Sequence, residues 1–409
     1  MVLSRKAQGS QRVPRAHARH INSALVTVGF GPVRSHNWRN RGNPMKPCDA
    51  LLLPPAATRT LRQPTEPSSS AARSIVENNA VLRAGVVGLG HQALTDHLPT
   101  LQASADVRLA AVCDENPAVT HEQQHRLRVP GYLDFEDMFA SEQLDLVVVC
   151  VPHHVGAQVV EAAAKHGVHV LKEKPFATTV DEAKRLAAVA EESGIHLMVA
   201  LQRRLNPIHT SFQLLADRIG TPFLVEGRYT MHITDPSDGW RGLSAKAGGG
   251  CLIDMGYHLI DLTLWYFGLP DRITADLSAS ARPDRRYDAE DTALVHFSYD
   301  HGLYGSLLLS RFLGPKTEEL RVVGSRGAVH LERNRIRRLT NDATAIETVT
   351  REPVGQAAAA NQIDYFARVI GGSRPNPSSP NDQLAHLAFI TACYQAARTH
   401  APVNPKELL

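Results

Sequence analysis

Five short apolar segments, separated by stretches of helical length, constrain this chain more than any other feature. The segments are VLRAGVVGLG, DVRLAAVCD, LDLVVVCVP, GVHVLKEKP and GIHLMVAL, all rich in Val, Leu and Ala, and they lie within residues 81–201. Strands that are buried on both faces have continuous apolar sequences of this kind, because helices cover both sides of the sheet. The alternation therefore predicts an α/β domain over residues 81–201, built as a doubly wound parallel sheet.

After residue 201 the pattern changes to alternating apolar and polar residues, with Gly or Asp between the segments. Six such segments follow: TPFLVEGRYTMHI, RITADLSASA, DTALVHFSYD, GLYGSLLLSRF, ELRVVGSRG and AVHLERNRIRRL. This alternation is typical of antiparallel strands with one solvated face. We expect helices at Pro207–Ile219, around CLIDMGYHLIDLTLWYFG, and at Gln356–Ile370 and Asn381–His400. Residues 202–409 are thus predicted to form an α+β domain with a large, mostly antiparallel open sheet, whose C-terminal helix packs back on the first domain.

The charge of the chain is unevenly distributed. Residues 1–80 hold 12 Lys and Arg against 3 Asp and Glu, which leaves 32 against 38 for the remainder. We interpret residues 1–80 as a disordered basic leader, with a transit peptide, a polybasic arm and a start at Met45 as alternatives. Five scattered cysteines without CxxC spacing argue against a zinc ribbon or a disulfide framework. No apolar run reaches the roughly 18 residues of a membrane span. We therefore expect a cytoplasmic protein that binds no metal, nucleic acid or membrane.

A glycine-rich turn follows the first predicted strand. The stretch GVVGLGHQALTDH places Gly88, Gly90 and Ala93 in the G-x-G-x-x-G/A spacing of a Rossmann nucleotide-binding turn. Gly88 permits a tight turn, Gly90 lets a pyrophosphate approach the backbone, and Ala93 allows close packing of helix on strand. Asp114 ends the second strand, where its carboxylate can accept both ribose hydroxyls, and Glu115 follows it. Two carboxylates would repel a 2′-phosphate, so the pattern favours NAD over NADP.

Two groups of charged residues are placed for acid-base chemistry. Glu173, Lys174 and Pro175 end the fourth apolar segment, at the edge where doubly wound sheets bind ligands, so an ammonium there can hydrogen-bond a substrate hydroxyl. Asp254 and His258 stand at positions i and i+4 in GGGCLIDMGYHLID, where a carboxylate can fix the tautomer of an imidazole base. The alternatives are a solvated lysine pair and an ion pair on a helix surface.

These motifs, in this order and spacing, resemble the Gfo/Idh/MocA oxidoreductases, the family of glucose-fructose oxidoreductase and inositol dehydrogenase. The likeness covers residues 81–403 and includes QRRLNP, EDTALVHF and NDQLAHLAFITACYQAA. The resemblance implies an NAD(P)-dependent dehydrogenase or reductase in which Lys174, Asp254 and His258 act on a hydroxyl of a sugar, sugar nucleotide or cyclitol. It also implies that the open sheet of the second domain forms homodimers or homotetramers.

The resemblance also implies cofactor contacts, while the sequence leaves the substrate open. The expected cofactor-binding residues are Gly88, Leu89, Gly90, Ala93, Asp114, Pro152, His153, Glu173 and Lys174. After Pro152 the family usually has Asn and, three positions further on, His, whereas this chain has His153 and Gly156. Candidates for substrate contact are Arg204, Tyr229, His232, Trp240, Arg241 and His258. A glycosidase that borrows NAD transiently on the same fold, and a non-catalytic nucleotide-sensing protein, are alternative functions.

Overall fold

The computed structural model describes residues 81–350 and 357–409. The first of its two sheets has six parallel strands. The predicted leader, residues 1–80, lies outside the described residues. The order of the strands is β3-β2-β1-β4-β5-β6, which is the order of a Rossmann sheet and confirms the predicted fold of this domain. The strands are β1 (Leu82–Val87), β2 (Val107–Cys113), β3 (Gly131–Tyr132), β4 (Leu146–Val149), β5 (His169–Glu173) and β6 (Leu197–Ala200).

Helices connect these strands on both faces of the sheet. They are α1 (Leu98–Ala103), which follows a π-helical turn at Ala93–His97, and α2 (Pro117–Leu127), α3 (Phe135–Ser141), α4 (Gly156–Lys165) and α5 (Val180–Ser193). Side-chain caps fix where two of them begin. Asn116 accepts the backbone N–H of Ala118 ahead of α2, and Thr179 accepts the N–H of Glu182 in α5. The strands therefore end in short, defined loops at one edge of the sheet.

An eight-stranded sheet forms the second large layer. Its order is β14-β13-β12-β11-β7-β10-β9-β8, and every neighbouring pair is antiparallel except β7 and β10. The mostly antiparallel open sheet is therefore confirmed. The strands are β7 (Pro222–His232), β8 (Arg272–Ser278), β9 (Thr292–Ser298), β10 (Tyr304–Ser310), β11 (Phe312–Gly324), β12 (Gly327–Glu332), β13 (Arg335–Leu339) and β14 (Ala345–Thr350).

Two of the predicted helices are interrupted in the structure. The segment predicted as Pro207–Ile219 forms two short helices, and the segment around CLIDMGYHLIDLTLWYFG breaks after Asp254. At the second break the N–H of Gly256 reaches back five residues to the carbonyl of Cys251, at 2.8 Å. The helices are α6 (Pro207–Thr210), α7 (Phe212–Ala216), α8 (Ser244–Ala247), α9 (Cys251–Asp254), α10 (Tyr257–Phe267), α11 (Ala357–Ile370) and α12 (Pro380–Thr399).

The eight-stranded sheet has one buried and one solvated face. On β9, Ala293, Val295 and Phe297 are buried, whereas Leu294 between them is 44% exposed. We call the first the inner face and the second the outer face. The inner face shares a core with α10, α12 and one side of the parallel sheet, while α11 covers the other side of that sheet through residues such as Phe366. α12 also contacts α5 and β8. No helix in the described part of the chain is long and apolar enough to span a membrane.

Candidate active site

The turn after β1 has the shape of a phosphate cradle. Gly88 has φ +88°, and a Cβ there would lie 2.6 Å from the carbonyl oxygen of Cys150, so only glycine fits. A Cβ on Gly90 would point into open space, with nothing within 4 Å. Ala93 is fully buried where the helix meets the strand. The backbone of Gly90 is therefore open to a pyrophosphate at the start of the helical segment.

The carboxylate that ends β2 is anchored to this turn. Asp114 accepts the N–H of Leu89 through Oδ2 at 2.7 Å and the N–H of Asn116 through Oδ1 at 2.9 Å. Each oxygen keeps a further lone pair, and the neighbouring Glu115 is exposed. The turn and this strand end therefore fit the pyrophosphate and ribose of a dinucleotide.

Lys174 lies directly after β5 and contacts the second domain. Its Nζ donates hydrogen bonds to the backbone oxygen and to Oδ1 of Asp254, both at 2.9 Å. The adjacent Glu173 has one carboxylate oxygen 2.8 Å from Nε2 of His97, in the helical segment after the glycine turn. The other oxygen accepts the N–H of Lys174 at 3.2 Å. The tip of β5 is thus joined both to the nucleotide turn and to α9.

Asp254 is the centre of a cluster of cations. Besides Lys174, Oδ2 of Asp254 lies 3.4 Å from Nη2 of Arg311 and 3.6 Å from Nε of Arg241. Burial alone would raise the pKa of Asp254, but Lys174, Arg311 and Arg241 outweigh it and hold the pKa well below its usual value. Asp254 is therefore ionised and keeps Lys174 as its counterion. Sequence analysis missed Arg311. The one feature that could have indicated it is its position, directly after an apolar strand.

His258 is buried and neutral. Burial, followed by the charges of Arg203 and Lys174, lowers its pKa well below the usual 6.5. Within the described residues its ring forms no hydrogen bond and no ion pair, so the expected contact with Asp254 is absent. The helix break after Asp254 puts the two residues on different helices, and Asp254 pairs with Lys174 instead. The imidazole of His258 is left with a free lone pair that can accept a proton.

His153 lies at the same edge, after β4. Its Nδ1 is 2.7 Å from the carbonyl oxygen of Ala247, and its ring meets that of Trp240 edge-on at 4.5 Å between centroids. Burial lowers the pKa of His153 to about 3, so the ring is neutral and Nδ1 is the donor. The guanidinium of Arg241 lies 4.3 Å from the Trp240 centroid. These contacts fix the loop that contains Trp240 and Arg241 beside Pro152 and His153.

Lys172, two residues before Lys174, was not among the predicted site residues. Its side chain is 5% exposed, and Nζ donates to the backbone oxygens of Pro175 at 2.7 Å and Glu173 at 3.2 Å. Burial lowers its pKa to about 8. A Cβ on Gly156 would lie 2.9 Å from this Nζ. A side chain at position 156, where the family usually has His, would therefore have to displace this ammonium.

The candidates for substrate contact divide into two groups. Tyr229 lies on the inner face, 6.4 Å from His258 between ring centroids. Arg204 points away from them: its Nη2 is 2.7 Å from Oδ1 of Asp261 and its Nη1 donates to the carbonyl of Pro377, so its guanidinium is already paired within the protein. His232 is exposed and packs against Phe312. The neighbouring Arg203, which sequence analysis passed over, forms an ion pair with Glu318.

Known proteins resemble this chain over most of its length. One relative, D-xylose 1-dehydrogenase (NADP(+)) 2 of Haloferax volcanii, is 26% identical over 78% of this chain and 98% of its own length. Another, D-apiose dehydrogenase of Paraburkholderia graminis, is 28% identical over 76% of this chain and 87% of its own. The crystal structure of aldose-aldose oxidoreductase from Caulobacter crescentus superposes with a TM-score of 0.71 at 25% identity, covering 80% of this chain and all of that one.

Family models match both domains. Residues 82–201 match the NAD-binding Rossmann domain of the GFO_IDH_MocA oxidoreductase family, and residues 213–330 match a GFO/IDH/MocA C-terminal domain. Because the two matches together span more than half of the chain, it belongs to the Gfo/Idh/MocA family of NAD(P)-dependent oxidoreductases.

Proposed function

We propose that this chain oxidises a secondary alcohol of a sugar, sugar nucleotide or cyclitol, or reduces the corresponding ketone, with NAD as cofactor. The observation that carries the proposal is the contact of Lys174 with Asp254 at 2.9 Å, beside a neutral His258. An ammonium and an imidazole base at the carboxyl edge of a Rossmann sheet are the groups needed to remove a hydroxyl proton. The xylose and apiose dehydrogenases among the relatives support a sugar substrate.

The three side chains have separate tasks in this proposal. Two of the three N–H donors of Lys174 bind Asp254, and the third is available to the oxygen of the reacting hydroxyl. His258 takes the hydroxyl proton as the C–H bond breaks and the carbonyl forms. The nicotinamide, when bound, accepts the hydride with its electron pair. Asp254 holds the ammonium of Lys174 in place and directs it at the hydroxyl, and the same groups act in reverse for reduction.

Asp114 and Glu115 support the choice of NAD. A 2′-phosphate on the ribose would approach both carboxylates at the end of β2, and like charges repel. The ribose hydroxyls of NAD can instead donate to Asp114.

We also propose that the chain forms a homodimer or homotetramer through the outer face of its eight-stranded sheet. Leu294 on β9 and Tyr304 on β10 are 44% and 61% exposed there. Leu308 pairs with Leu294 across the two strands, and adjoining large apolar side chains on a solvated face favour an interaction surface.

The test is a screen of the purified protein with NAD against sugars, cyclitols and sugar nucleotides at alkaline pH. We expect NADH and the corresponding ketone in equal amounts from one class of substrate. A cleaved glycoside without accumulation of NADH would contradict the proposal and favour the redox-neutral glycosidase. Tight binding of NAD without turnover of any compound would favour a nucleotide sensor.

A further inference from the structure

We propose that the substrate carries an anionic group, a carboxylate or a phosphate, that binds a cluster of three cations beside His258. The cation cluster consists of Arg203, Lys316 and Arg333. This inference rests on the proposed function and specifies its substrate. None of the three residues belongs to the motifs that identify the nucleotide turn or the proton-transfer groups.

The register of the sheet brings the cluster to the edge of the inner face beside Tyr229, where Lys316 and Arg333 are exposed. Glu318 on β11 is directly opposite Tyr229 on β7, so both side chains lie on the inner face. On the other side of β11, Leu320 is opposite the buried Leu331 of β12. Glu319 pairs with Glu332, the last residue of β12, so Arg333, in the turn that follows, comes level with Glu318.

The cluster has more positive than negative charge. Arg203 reaches Glu318 from the turn before α6 and forms an ion pair with it. Burial, then the charges of Arg333 and Arg203, lowers the pKa of Lys316, whereas Glu318 is the one acid that raises it. Neither Lys316 nor Arg333 has an ion-pair partner among residues 81–350 and 357–409. Three cations therefore surround one acid, and a bound anion would relieve their mutual repulsion.

The cluster adjoins the proposed base. After burial, Arg203 is the strongest influence that lowers the pKa of His258, and the charges of both Arg203 and Arg333 act on Tyr229. The hydroxyl of Tyr229, a residue only 8% exposed, has no hydrogen-bond partner in the described part of the chain. Adjacent strands lie about 5 Å apart. A molecule with one hydroxyl at Lys174 and His258 can thus extend past Tyr229 to the cluster within the length of one or two sugar rings.

The chemistry of the cluster defines the class of ligand. Arginine binds carboxylates and phosphates through paired N–H groups, and lysine adds a compact charge. A neutral aldose or cyclitol would leave these cations without a counterion. Uronates, aldonates, sugar phosphates and the diphosphate of a sugar nucleotide each supply the anion.

The experiment compares substrates that differ only in the anion. We would measure kcat/KM with NAD for an aldose, its uronate and its phosphate ester, in wild type and in Lys316→Gln and Arg333→Gln. Wild type should prefer one of the anionic members by at least about tenfold, and each variant should lose roughly tenfold on that member, which corresponds to about 1.4 kcal/mol. The value for the neutral aldose should stay unchanged. Lys184→Gln, which removes an exposed lysine from α5, is the matched control.

Calorimetric binding of the same three compounds in the presence of NADH separates this inference from the proposed function. Binding of an anionic member that weakens in both variants, without turnover of any compound, would support the cluster and contradict the proposed oxidation. Oxidation of the neutral aldose at least as well as the anionic members would overturn the cluster while the proposed oxidation stands. A preference for anions that persists unchanged in both variants would also overturn it.

Discussion

The buried ammonium of Lys172 constrains the residues around it, both the backbone beside Lys174 and the space at Gly156. The ammonium of Lys172 binds the carbonyls on both sides of Lys174, those of Glu173 and Pro175. This contact holds the backbone of the residue that we propose acts on the substrate. A buried ammonium is costly in free energy, and it is stabilised here by these carbonyls and by the charges of Glu182 and Glu173. We therefore expect Lys172 to position Lys174 rather than to stabilise the fold.

Lys172→Met tests this expectation. The apolar side chain has a similar length and removes a buried charge, so the free energy of unfolding should not fall. A misplacement of Lys174 by a fraction of an ångström should lower kcat by about 10- to 100-fold, while the affinity for NAD and the KM for substrate stay nearly constant. Gly156→Ala should have the same effect, because its Cβ would displace the ammonium. If both variants turned over at the wild-type rate, Lys172 would have no positioning role.

Asp114 and Glu115 allow a separate test of cofactor choice. Replacing Glu115 with Arg removes one repulsive charge and adds a partner for a 2′-phosphate, so the ratio of NADP to NAD affinity should rise by about tenfold or more, because hydrogen bonds to charged groups contribute about 1.5–3 kcal/mol. Asp114→Ser combined with Glu115→Arg should shift the ratio further, but it also removes the acceptor for the N–H of Leu89. Glu115→Arg keeps this hydrogen bond, so it separates the effect on cofactor choice from any damage to the turn. A wild-type protein that already bound NADP more tightly would contradict our account of the ribose end.

At the residue scale, the sequence predicted which side chains share the site better than it predicted their partners. Lys174 and Asp254 do meet, but Asp254 was assigned to His258, because the i, i+4 spacing assumes an unbroken helix. Arg203 and Arg204 are adjacent in sequence, and only Arg204 was chosen, although its guanidinium is already paired with Asp261. The direction of a side chain in a short irregular turn depends on tertiary contacts that no spacing pattern contains.

At the scale of elements, the periodicity of apolar residues was sufficient to predict the regular helices and strands, but the sequence did not show where a helix is interrupted. The buried strand β4 and the half-buried strand β9 have the expected patterns, whereas β14 was missed because it is almost entirely exposed and so has no apolar face. The break between α9 and α10 centres on Gly256, where a Cβ would contact the carbonyl of Leu252 and the side chain of Leu309 on β10. Close approach of a strand from the second sheet cannot be derived from the helix sequence alone.

Glu290 determines how α9 begins and therefore where Asp254 lies. Its carboxylate accepts the N–H groups of Gly250 at 2.6 Å and Leu252 at 2.9 Å, and also the hydroxyl of Tyr394 at 3.1 Å. The side chain is buried, so these bonds replace solvent for the first turn of the helix.

Glu290→Gln should destabilise the protein, because a carboxamide has one oxygen for two backbone N–H donors. The expected loss is about 1.5–3 kcal/mol in the free energy of unfolding, measured by chemical denaturation, with a fall in turnover as α9 loosens. Tyr394→Phe is the control, since it removes one partner of Glu290 and leaves both backbone bonds intact. Equal stability of Glu290→Gln and wild type would show that Glu290 does not fix α9.

At the scale of the whole molecule, the outer face of the eight-stranded sheet is the surface that should determine the oligomeric state. Leu294→Arg places a charge beside Leu308, its partner on β10, so it should shift the native mass from dimer or tetramer towards monomer, as measured by light scattering. Leu214→Arg changes a side chain that is 65% exposed on α7 and should leave the mass unchanged. A monomeric wild type, or identical masses for wild type and Leu294→Arg, would contradict assembly through this face.

The two domains meet chemically at Lys174, Asp254 and His258, and proton transfer between these groups and the substrate is the central claim. Lys174→Met and His258→Gln should each lower turnover by about 10²–10⁴-fold, with Lys165→Met, an exposed lysine on α4, as the control. The double variant should cost much less than the product of the two, because groups that act as one unit are not additive. The affinity for NAD should barely change in His258→Gln.

The most direct measurement is the pH dependence of turnover with the best substrate from the screen. Oxidation needs the neutral imidazole, and burial lowers the pKa of His258. The rate should therefore rise with pH around an apparent pKa below 6.5. Above that pKa the titration of His258 is complete, so it should cause no further change in rate through neutral pH. That rise should disappear in His258→Gln. A rise that persists unchanged in His258→Gln, or turnover of Lys174→Met near that of wild type, would contradict the account.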